Sequence, residues 1–209
     1  MRNWWKKHRW AALVPVLLAA LLLAGCGSGA ADGTTENGTG AYHTDPVPEG
    51  KPQPVEPGTA EEGGEATCTF SISCATILDN MDQCAESKKE LVPADGVILP
   101  PTEVAFAEGE SAFDVLQRVC RDNGIHLESK FTPVYNSAYI QGIHNIYEFD
   151  VGKLSGWMYA VNDWFPNYGC SLYQVQDGDV IRWVYTCDLG ADVGGGQAAG
   201  DGQQEGAST

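Results

Sequence analysis

The sequence predicts a small α+β domain in which short strands lie before and after a single helix. Three observations support this class. Apolar residues alternate in 67–73, one amphipathic helix with clear end signals follows in 111–124, and strand patterns resume at residue 126. Segment 67–189, which contains all three, has the usual size of one domain. We therefore expect a mixed or antiparallel sheet packed on one main helix.

The strands before the helix are short. Phe70 and Ile72 alternate with polar residues in 67–73, and 97–99 and 104–106 are further extended pieces. Pro100-Pro101 lies between these last two and cannot donate backbone hydrogen bonds to a neighbouring strand. We therefore expect two separate short strands rather than one.

The helix has a signal at each end. Ser111 is an N-cap residue with Asp114 three positions later, which is a capping-box arrangement. Asn123-Gly124 is a typical helix end. Between them the apolar residues recur at helical spacing.

The segment after the helix returns to strand patterns. Residues 126–131 and 157–161 are predicted strands, and 162–169 is a loop rich in polar and aromatic residues. Segments 172–175 and 180–185 flank Asp-Gly, a frequent turn dipeptide, and are predicted to form a hairpin. One further apolar segment has no clear type; it contains Tyr139, Ile140, Ile143 and Ile146.

The chain is strongly acidic. Its 209 residues carry a formal net charge of −16, and removal of 1–25, which holds four basic and no acidic residues, leaves −20. Nucleic-acid binding is disfavoured because phosphate recognition needs clustered Lys and Arg. Adsorption to anionic lipid is disfavoured for the same reason.

The N-terminus predicts a lipid anchor. Residues 11–23 form an apolar run after a basic start, too short for a comfortable transmembrane helix but suited to a signal peptide. The run ends in Leu-Ala-Gly followed by Cys26, the pattern of a bacterial lipobox. We expect 1–25 to be a lipoprotein signal peptide for the general secretory pathway. Lipidated Cys26 then holds the protein on the outer face of the cytoplasmic membrane. An ordinary signal peptide or anchor with a chance cysteine is the alternative.

Two flanking segments lack the residues needed for a core. Residues 26–66 are rich in Gly, Pro and Glu, and 190–209 are rich in Gly, Gln and Ala. Segments of this composition bury too little apolar surface to offset their conformational entropy. We expect a disordered tether and a disordered tail.

Six cysteines remain after lipidation, all exported with the domain. An even number in that context favours at least one structural disulfide, although the pairing and the alternative of free thiols stay open. No Cys-x-x-Cys occurs, so a zinc site is not expected. The six disulfide candidates are Cys68, Cys74, Cys84, Cys120, Cys170 and Cys187.

The sequence contains no recognisable catalytic motif. Nucleophile-elbow, P-loop and dinucleotide-binding patterns are absent. Glu148 and Asp150 could share a strand face as an acid–base pair, but in so acidic a chain two surface carboxylates are favoured. His43, His126 and His144 are scattered. We therefore expect no enzymatic activity, no cofactor and no metal site.

Aromatic residues are concentrated near the C-terminal end of the domain. Six fall within seventeen residues, and those on 157–161 share a strand face that would fill the core. Those of loop 164–169 either fold back as a lid or form an exposed patch for a partner. The sequence leaves these two alternatives open.

The segment Ser-Gly-Trp-Met-Tyr-Ala-Val-Asn at 155–162, followed by Asp-Gly-Asp-Val-Ile at 177–181, resembles the DUF4430 family. This family is similar to the C-terminal β-domain of transcobalamin and intrinsic factor. The resemblance covers about 67–190 and implies a β-grasp-like fold. It also implies ligand-facing residues in 139–143, at Trp157 and in 168–173. With the aromatic cluster, this gives the candidate ligand-binding set Tyr139, Ile140, Ile143, Trp157, Tyr159, Trp164, Tyr168, Gly169 and Tyr173.

The expected function is therefore that of a cell-surface lipoprotein with a non-catalytic ligand-binding domain. The resemblance implies cobalamin or another corrinoid, which would be a bound ligand rather than a cofactor. The expected partner is this small molecule or a surface protein or transporter. In transcobalamins a helical domain completes the site, and here a tether stands in its place, so a half-site should bind weakly. The alternative is an assembly or adhesion domain that binds a protein or wall polymer. A concave pocket favours the first function and a flat aromatic patch the second.

Overall fold

The structure is a computed structural model that describes residues 46–56 and 65–196. The predicted signal peptide, Cys26, and most of the predicted tether and tail lie outside these ranges. Among the residues described, no helix is both long enough and apolar enough to cross a membrane.

Within the described residues the domain has seven strands and one longer helix. The strands are β1 (Glu65–Ser73), β2 (Val97–Ala107), β3 (Leu127–Thr132), β4 (Ser137–Ile143), β5 (Ile146–Tyr147), β6 (Gly156–Val161) and β7 (Val180–Thr186), and the helix is α1 (Ala112–Asp122). The described residues also contain five short 3-10 helices. Four lie between these elements, at Ala75–Asn80, Glu86–Leu91, Pro133–Tyr135 and Cys170–Leu172, and Ala191–Val193 follows β7. The predicted α+β class is confirmed.

The strands form two sheets. The large sheet has the order β2-β1-β7-β6, in which β1 runs parallel to β7 and antiparallel to β2, and β6 runs antiparallel to β7. The first and last strands thus pair in parallel at the centre, which is the arrangement expected of a β-grasp sheet. The small sheet has the order β3-β4-β5 and is antiparallel throughout.

Helix α1 forms where the sequence predicts it. Ser111 Oγ accepts a hydrogen bond from the Asp114 amide at 3.2 Å, and the Asp114 carboxylate accepts from the Ser111 amide at 2.9 Å. This reciprocal capping box satisfies two backbone donors at the start of the helix. The apolar face of α1 packs in a larger core cluster with residues of β1 and β7, including Val115, Leu116, Phe70, Ile72, Ile181 and Trp183.

Strand β2 differs from the prediction of two separate strands. It runs through Pro100 and Pro101 as one element, and both prolines are exposed. β2 is at the edge of the large sheet, where a missing backbone donor costs no ladder bond. The pairing with β1 is irregular near this point, between Phe70 and Ile72.

The predicted hairpin between 172–175 and β7 is wrong. Residues 172–175 do not form the first strand of a hairpin, because their backbone groups form hydrogen bonds with residues 110–112 at the start of α1. Ala112 donates to the Tyr173 carbonyl at 2.9 Å, and Val175 donates to the Glu110 carbonyl at 3.0 Å. The Asp-Gly turn is present, but β7 pairs with β1 and β6 instead.

The cysteines also differ from the favoured prediction of a disulfide. Within the described ranges all six are free thiols. They are distributed over two separate parts of the core, where buried thiols pack as small apolar side chains. Cys68, Cys120 and Cys170 belong to the larger core cluster, whereas Cys74 and Cys84 belong to a smaller one against which Cys187 packs.

Candidate ligand-binding cleft

A cleft of about 370 Å³ opens between three parts of the domain. One wall is the turn after β3 with the start of β4, the second is segment 166–172, and the third comes from residues 54–56. The residues that line it are Pro54, Val55, Glu56, Thr132, Tyr135, Asn136, Ser137, Ala138, Tyr139, Pro166, Asn167, Tyr168, Gly169 and Leu172.

The first two walls are held together by backbone and hydroxyl contacts. The Ser171 amide donates to Ser137 Oγ at 3.2 Å, and the Ala138 amide donates to Ser171 Oγ at 3.0 Å. Gly169 approaches so closely that an added Cβ would lie 2.0 Å from Ser137 Oγ. The junction therefore requires a residue without a side chain at this point.

The third wall comes from residues that the sequence assigns to the disordered tether. Residues 46–56, here called the strap, lie against the domain. The Val55 amide donates to the Leu172 carbonyl at 2.8 Å, and Tyr168 Oη donates to the Pro52 carbonyl at 2.8 Å. Val47 packs on the larger core cluster. The strap has too few apolar residues to form a core of its own, and it is held by these contacts with the domain.

Two predicted site tyrosines line the cleft. Tyr139 lies on the rim, where its hydroxyl donates to Glu148. Burial, with the Glu148 carboxylate as a further cause, raises the pKa of Tyr139 above its usual range. Burial also raises the pKa of Tyr168, and the charge of Asp179 adds to the effect. Both phenols are therefore neutral at physiological pH and serve as hydrogen-bond donors.

Four predicted site residues are in the core instead. Ile140, Ile143, Tyr159 and Tyr173 are buried members of the larger core cluster. Tyr159 Oη donates to the Tyr168 carbonyl at 2.8 Å. Tyr159 thus supports the cleft wall from behind.

Tyr173 is fixed by a buried carboxylate. Its hydroxyl donates to Asp179 at 2.9 Å, and Asp179 also accepts from the Gln176 amide at 2.8 Å and from Asn162 Nδ2 at 2.7 Å. These three bonds hold the segment between the cleft wall and β7. Tyr173 therefore has a structural role and does not line the cleft.

The two predicted tryptophans lie apart from each other. Trp157 Nε1 donates to the Ile146 carbonyl at 2.9 Å, and its ring meets Tyr185 edge-on at 5.2 Å. Trp157 packs between the two core clusters and does not line the cleft. Trp164 lies beside the strap and contacts Tyr168 edge-on, with ring centres 5.9 Å apart.

The aromatic loop folds back onto the domain. Phe165 and Tyr168 are each only 8% exposed. Of the two alternatives that the sequence left open, the loop therefore folds back and does not form an exposed aromatic patch. Three exposed apolar residues lie instead on β3 and the turn after it. Phe131 is 58% exposed, Val134 64% and Tyr135 56%.

Sequence reasoning missed the strap and the turn that carries Tyr135 and Asn136. The turn could have been found, because Pro133 and Asn136, both frequent in turns, lie between the predicted strand 126–131 and the predicted site residue Tyr139. The strap carries no comparable pattern, since its contacts are with residues about 80 to 116 positions away.

Glu148 and Asp150, which the sequence suggests as a pair, have separate partners in the structure. Glu148 bonds to Tyr139, whereas Asp150 accepts from the Tyr147 amide at 2.7 Å and pairs with Lys88 at 3.4 Å. No group of three or more His, Cys, Asp or Glu side chains in 46–56 and 65–196 could hold a metal ion.

The fold and the cleft define a small α+β domain with a ligand-sized cavity. Residues 109–187 match the family model DUF4430, described as a domain of unknown function. The resemblance to this family that the sequence predicts is confirmed over that segment, which contains α1, the small sheet and most of the cleft.

Solved structures provide two further similarities. Haptocorrin in complex with Cbi has 12% sequence identity and a TM-score of 0.45; the match covers 60% of this chain and 26% of that one. A "putative metal binding protein" from Ruminococcus gnavus has 16% identity and a TM-score of 0.32, with 59% and 97% of the two chains covered. This chain thus spans about a quarter of the haptocorrin chain. No curated protein matches it.

Proposed function

We propose that this domain binds a small organic ligand in the cleft and performs no chemistry on it. The observation that carries the proposal is the cleft itself, whose volume of about 370 Å³ lies within the range of about 300–1,000 Å³ typical of ligand sites. Its walls combine tyrosine rings and apolar side chains with a few polar groups. This is the composition expected of a site that orients a ligand by shape and a few hydrogen bonds.

We further propose that the domain acts outside the cell, held on the membrane by a lipid on Cys26. The basic start, the apolar run and the small residues before Cys26 support this. An acyl anchor and a tether would present the cleft to ligands that arrive from outside.

A corrinoid is the first ligand to test, because the family resemblance implies it. A corrinoid is larger than the cleft, so only one edge of the molecule or one of its side chains could enter. The exposed rim at Tyr139 would contact the part that remains outside. Such a half-site binds weakly alone, and a surface protein or transporter would complete it.

The test is a titration of the full chain, in detergent micelles, with cobalamin and with cobinamide. Binding is followed by calorimetry and by visible absorbance. The variant Tyr139→Ala removes a ring from the cleft rim, and Phe131→Ala is its matched control. Phe131 is on the neighbouring strand, is similarly exposed and does not line the cleft.

Saturable binding that Tyr139→Ala abolishes and Phe131→Ala retains would support the corrinoid proposal. Absence of binding at high micromolar ligand would exclude a stand-alone corrinoid site. The chain must keep residues 46–56, because they build one wall. Trp157→Ala is unsuitable as a binding variant, because Trp157 packs against both core clusters and does not line the cleft.

One observation favours a second function, the binding of another protein. Phe131, Val134 and Tyr135 form an exposed apolar surface beside the cleft, and such surfaces frequently mark interfaces. Under this alternative Phe131→Ala, and not Tyr139→Ala alone, would abolish capture of a partner. The same pair of variants therefore separates the two functions.

A further inference from the structure

The strap has the composition of a peptide ligand rather than of a structural strand. Four of its eleven residues are proline, at positions 46, 48, 52 and 54. Proline fixes its own φ and restricts the preceding residue to extended conformations. The strap turns at 48–51, where the Lys51 amide donates to the Pro48 carbonyl at 3.1 Å, and residues 52–56 follow this turn. A proline-rich stretch such as 52–56 is close to a polyproline II conformation before it binds and loses little entropy on docking.

The surface beneath the strap has the features that recognise such peptides. Trp164 and Tyr168 meet edge-on and present aromatic groups to the strap. Tyr168 Oη donates to the Pro52 carbonyl at 2.8 Å, and Lys51 Nζ lies 5.4 Å from the centre of the Trp164 ring. Aromatic-lined grooves are how proline-rich peptides are bound elsewhere, and the Tyr168 hydroxyl adds a hydrogen bond to the backbone of the segment.

Further contacts fix the register of the strap. The Val55 amide donates to the Leu172 carbonyl at 2.8 Å, and Asn136 Nδ2 donates to the Glu56 carboxylate at 2.8 Å. With Lys51 and Pro52 these contacts cover the sequence Lys-Pro-Gln-Pro-Val-Glu. Both backbone and side chains are contacted, so the surface can distinguish this sequence from an arbitrary extended one.

We propose that the Trp164–Tyr168 surface is a binding site for extended proline-rich peptides, and that the strap occupies it in cis. The peptide class is Lys-Pro-x-Pro followed by an apolar residue and an acid. The same segment supplied as a separate peptide competes with the strap for this surface. Because Pro54, Val55 and Glu56 also wall the cleft, release of the strap opens the cleft on that side. The peptide site does not depend on the identity of any ligand in the cleft.

The first test is hydrogen–deuterium exchange of the full chain in detergent micelles, read on a peptide that covers 51–56. In the parent chain the Val55 amide exchanges more slowly than in a free peptide of the same sequence. Tyr168→Phe removes the bond to the Pro52 carbonyl and keeps the ring, and we expect exchange in 51–56 to be about fivefold faster. Tyr139→Phe is the matched control, because its hydroxyl bonds to Glu148, and it leaves exchange in 51–56 unchanged. Exchange at the free-peptide rate in the parent chain would overturn the proposal.

The second test supplies the strap in trans. A synthetic peptide of residues 46–56 is titrated into a full chain whose own strap carries Pro52→Gly and Pro54→Gly, with a scrambled peptide as control. We expect saturable binding of the native peptide only, weaker when Tyr168→Phe or Trp164→Ala is added. Equal binding of the scrambled peptide, or none of the native one, would refute recognition of the sequence.

Discussion

Gly169 shows how one residue determines the junction of the cleft walls. Its φ of −70° is ordinary for any residue, so the requirement for glycine is steric. An added Cβ would lie 2.0 Å from Ser137 Oγ and 2.2 Å from Ser137 Cβ. The family resemblance marks Gly169 as a ligand-facing residue, and the structure adds this packing role, which a sequence pattern alone does not reveal.

We therefore expect Gly169→Ala to lower the free energy of unfolding by about 1–3 kcal/mol through overpacking. Chemical denaturation of the full chain measures this change. Gly156→Ala is the matched control, since its added Cβ would have only an ordinary contact at 3.8 Å with Glu148. Combining Gly169→Ala with Ser137→Gly should recover part of the loss. Equal effects of the Gly169 and Gly156 substitutions would contradict the steric explanation.

The buried thiols give a second prediction at the scale of single residues. Burial raises the pKa of Cys120 to about 12 and that of Cys170 to about 12, from an ordinary value of 9.0. Only the thiolate is a good nucleophile. At pH 8.5 iodoacetamide should leave both residues unmodified in the native chain and modify them in denaturant, as mass spectrometry of the digested protein would show.

The same shifts determine how stability depends on pH. Because the folded-state pKa exceeds the unfolded one, the contribution of these thiols is complete below pH 9. It is lost as the pH rises from 9 towards 12. The free energy of unfolding should therefore be lower at pH 10 than at pH 8. In the labelling experiment, rapid modification of Cys120 or Cys170 in the native chain would contradict the burial of these thiols.

At the scale of elements, local signals predict the fold best where they are self-contained. Helix α1 forms between its predicted cap and its predicted end, because the capping box is made by residues three positions apart. β2 and segment 172–175 were predicted less well. The continuity of β2 depends on its position at the edge of the sheet. The conformation of 172–175 depends on backbone hydrogen bonds to residues 110–112. Neither determinant is local, so hydrophobic periodicity could not reveal them.

The capping box makes α1 sensitive to a single substitution. Ser111→Ala removes the hydroxyl that accepts from the Asp114 amide and donates to its carboxylate at 2.6 Å. Loss of an N-cap costs about 0.5–2 kcal/mol of stability, and the cost should lie at the upper end because Ser111 is buried. Ser87→Ala, at an exposed position in a short helix, should change stability little. Thermal unfolding of the two variants compares them, and equal melting temperatures would contradict a structural role for the cap.

At the scale of the whole molecule, part of the binding surface lies outside the segment that looks like a domain. The strap has too few apolar residues to be predicted as ordered, and its order depends on surfaces formed by Tyr168 and Leu172. The sequence thus predicts Tyr139, Tyr168 and Gly169 as cleft residues but not the wall opposite them. A segment whose partner is distant in sequence cannot be found by composition.

The net charge of −16 gives a prediction for the molecule as a whole. An excess of like charges destabilises the compact state, and salt screens this repulsion as the Debye length falls from about 30 Å at 0.01 M to about 8 Å at 0.15 M. The melting temperature at pH 7 should therefore rise by a few degrees over this range of NaCl, which corresponds to about 1 kcal/mol. The same series near the isoelectric point of about 4.4 is the control, because the net charge is then small and the effect should largely vanish. A melting temperature that falls with salt at pH 7 would contradict this prediction. It would mean that ion pairs such as Arg118–Glu110, at 2.8 Å, stabilise the folded state by more than the repulsion among like charges destabilises it.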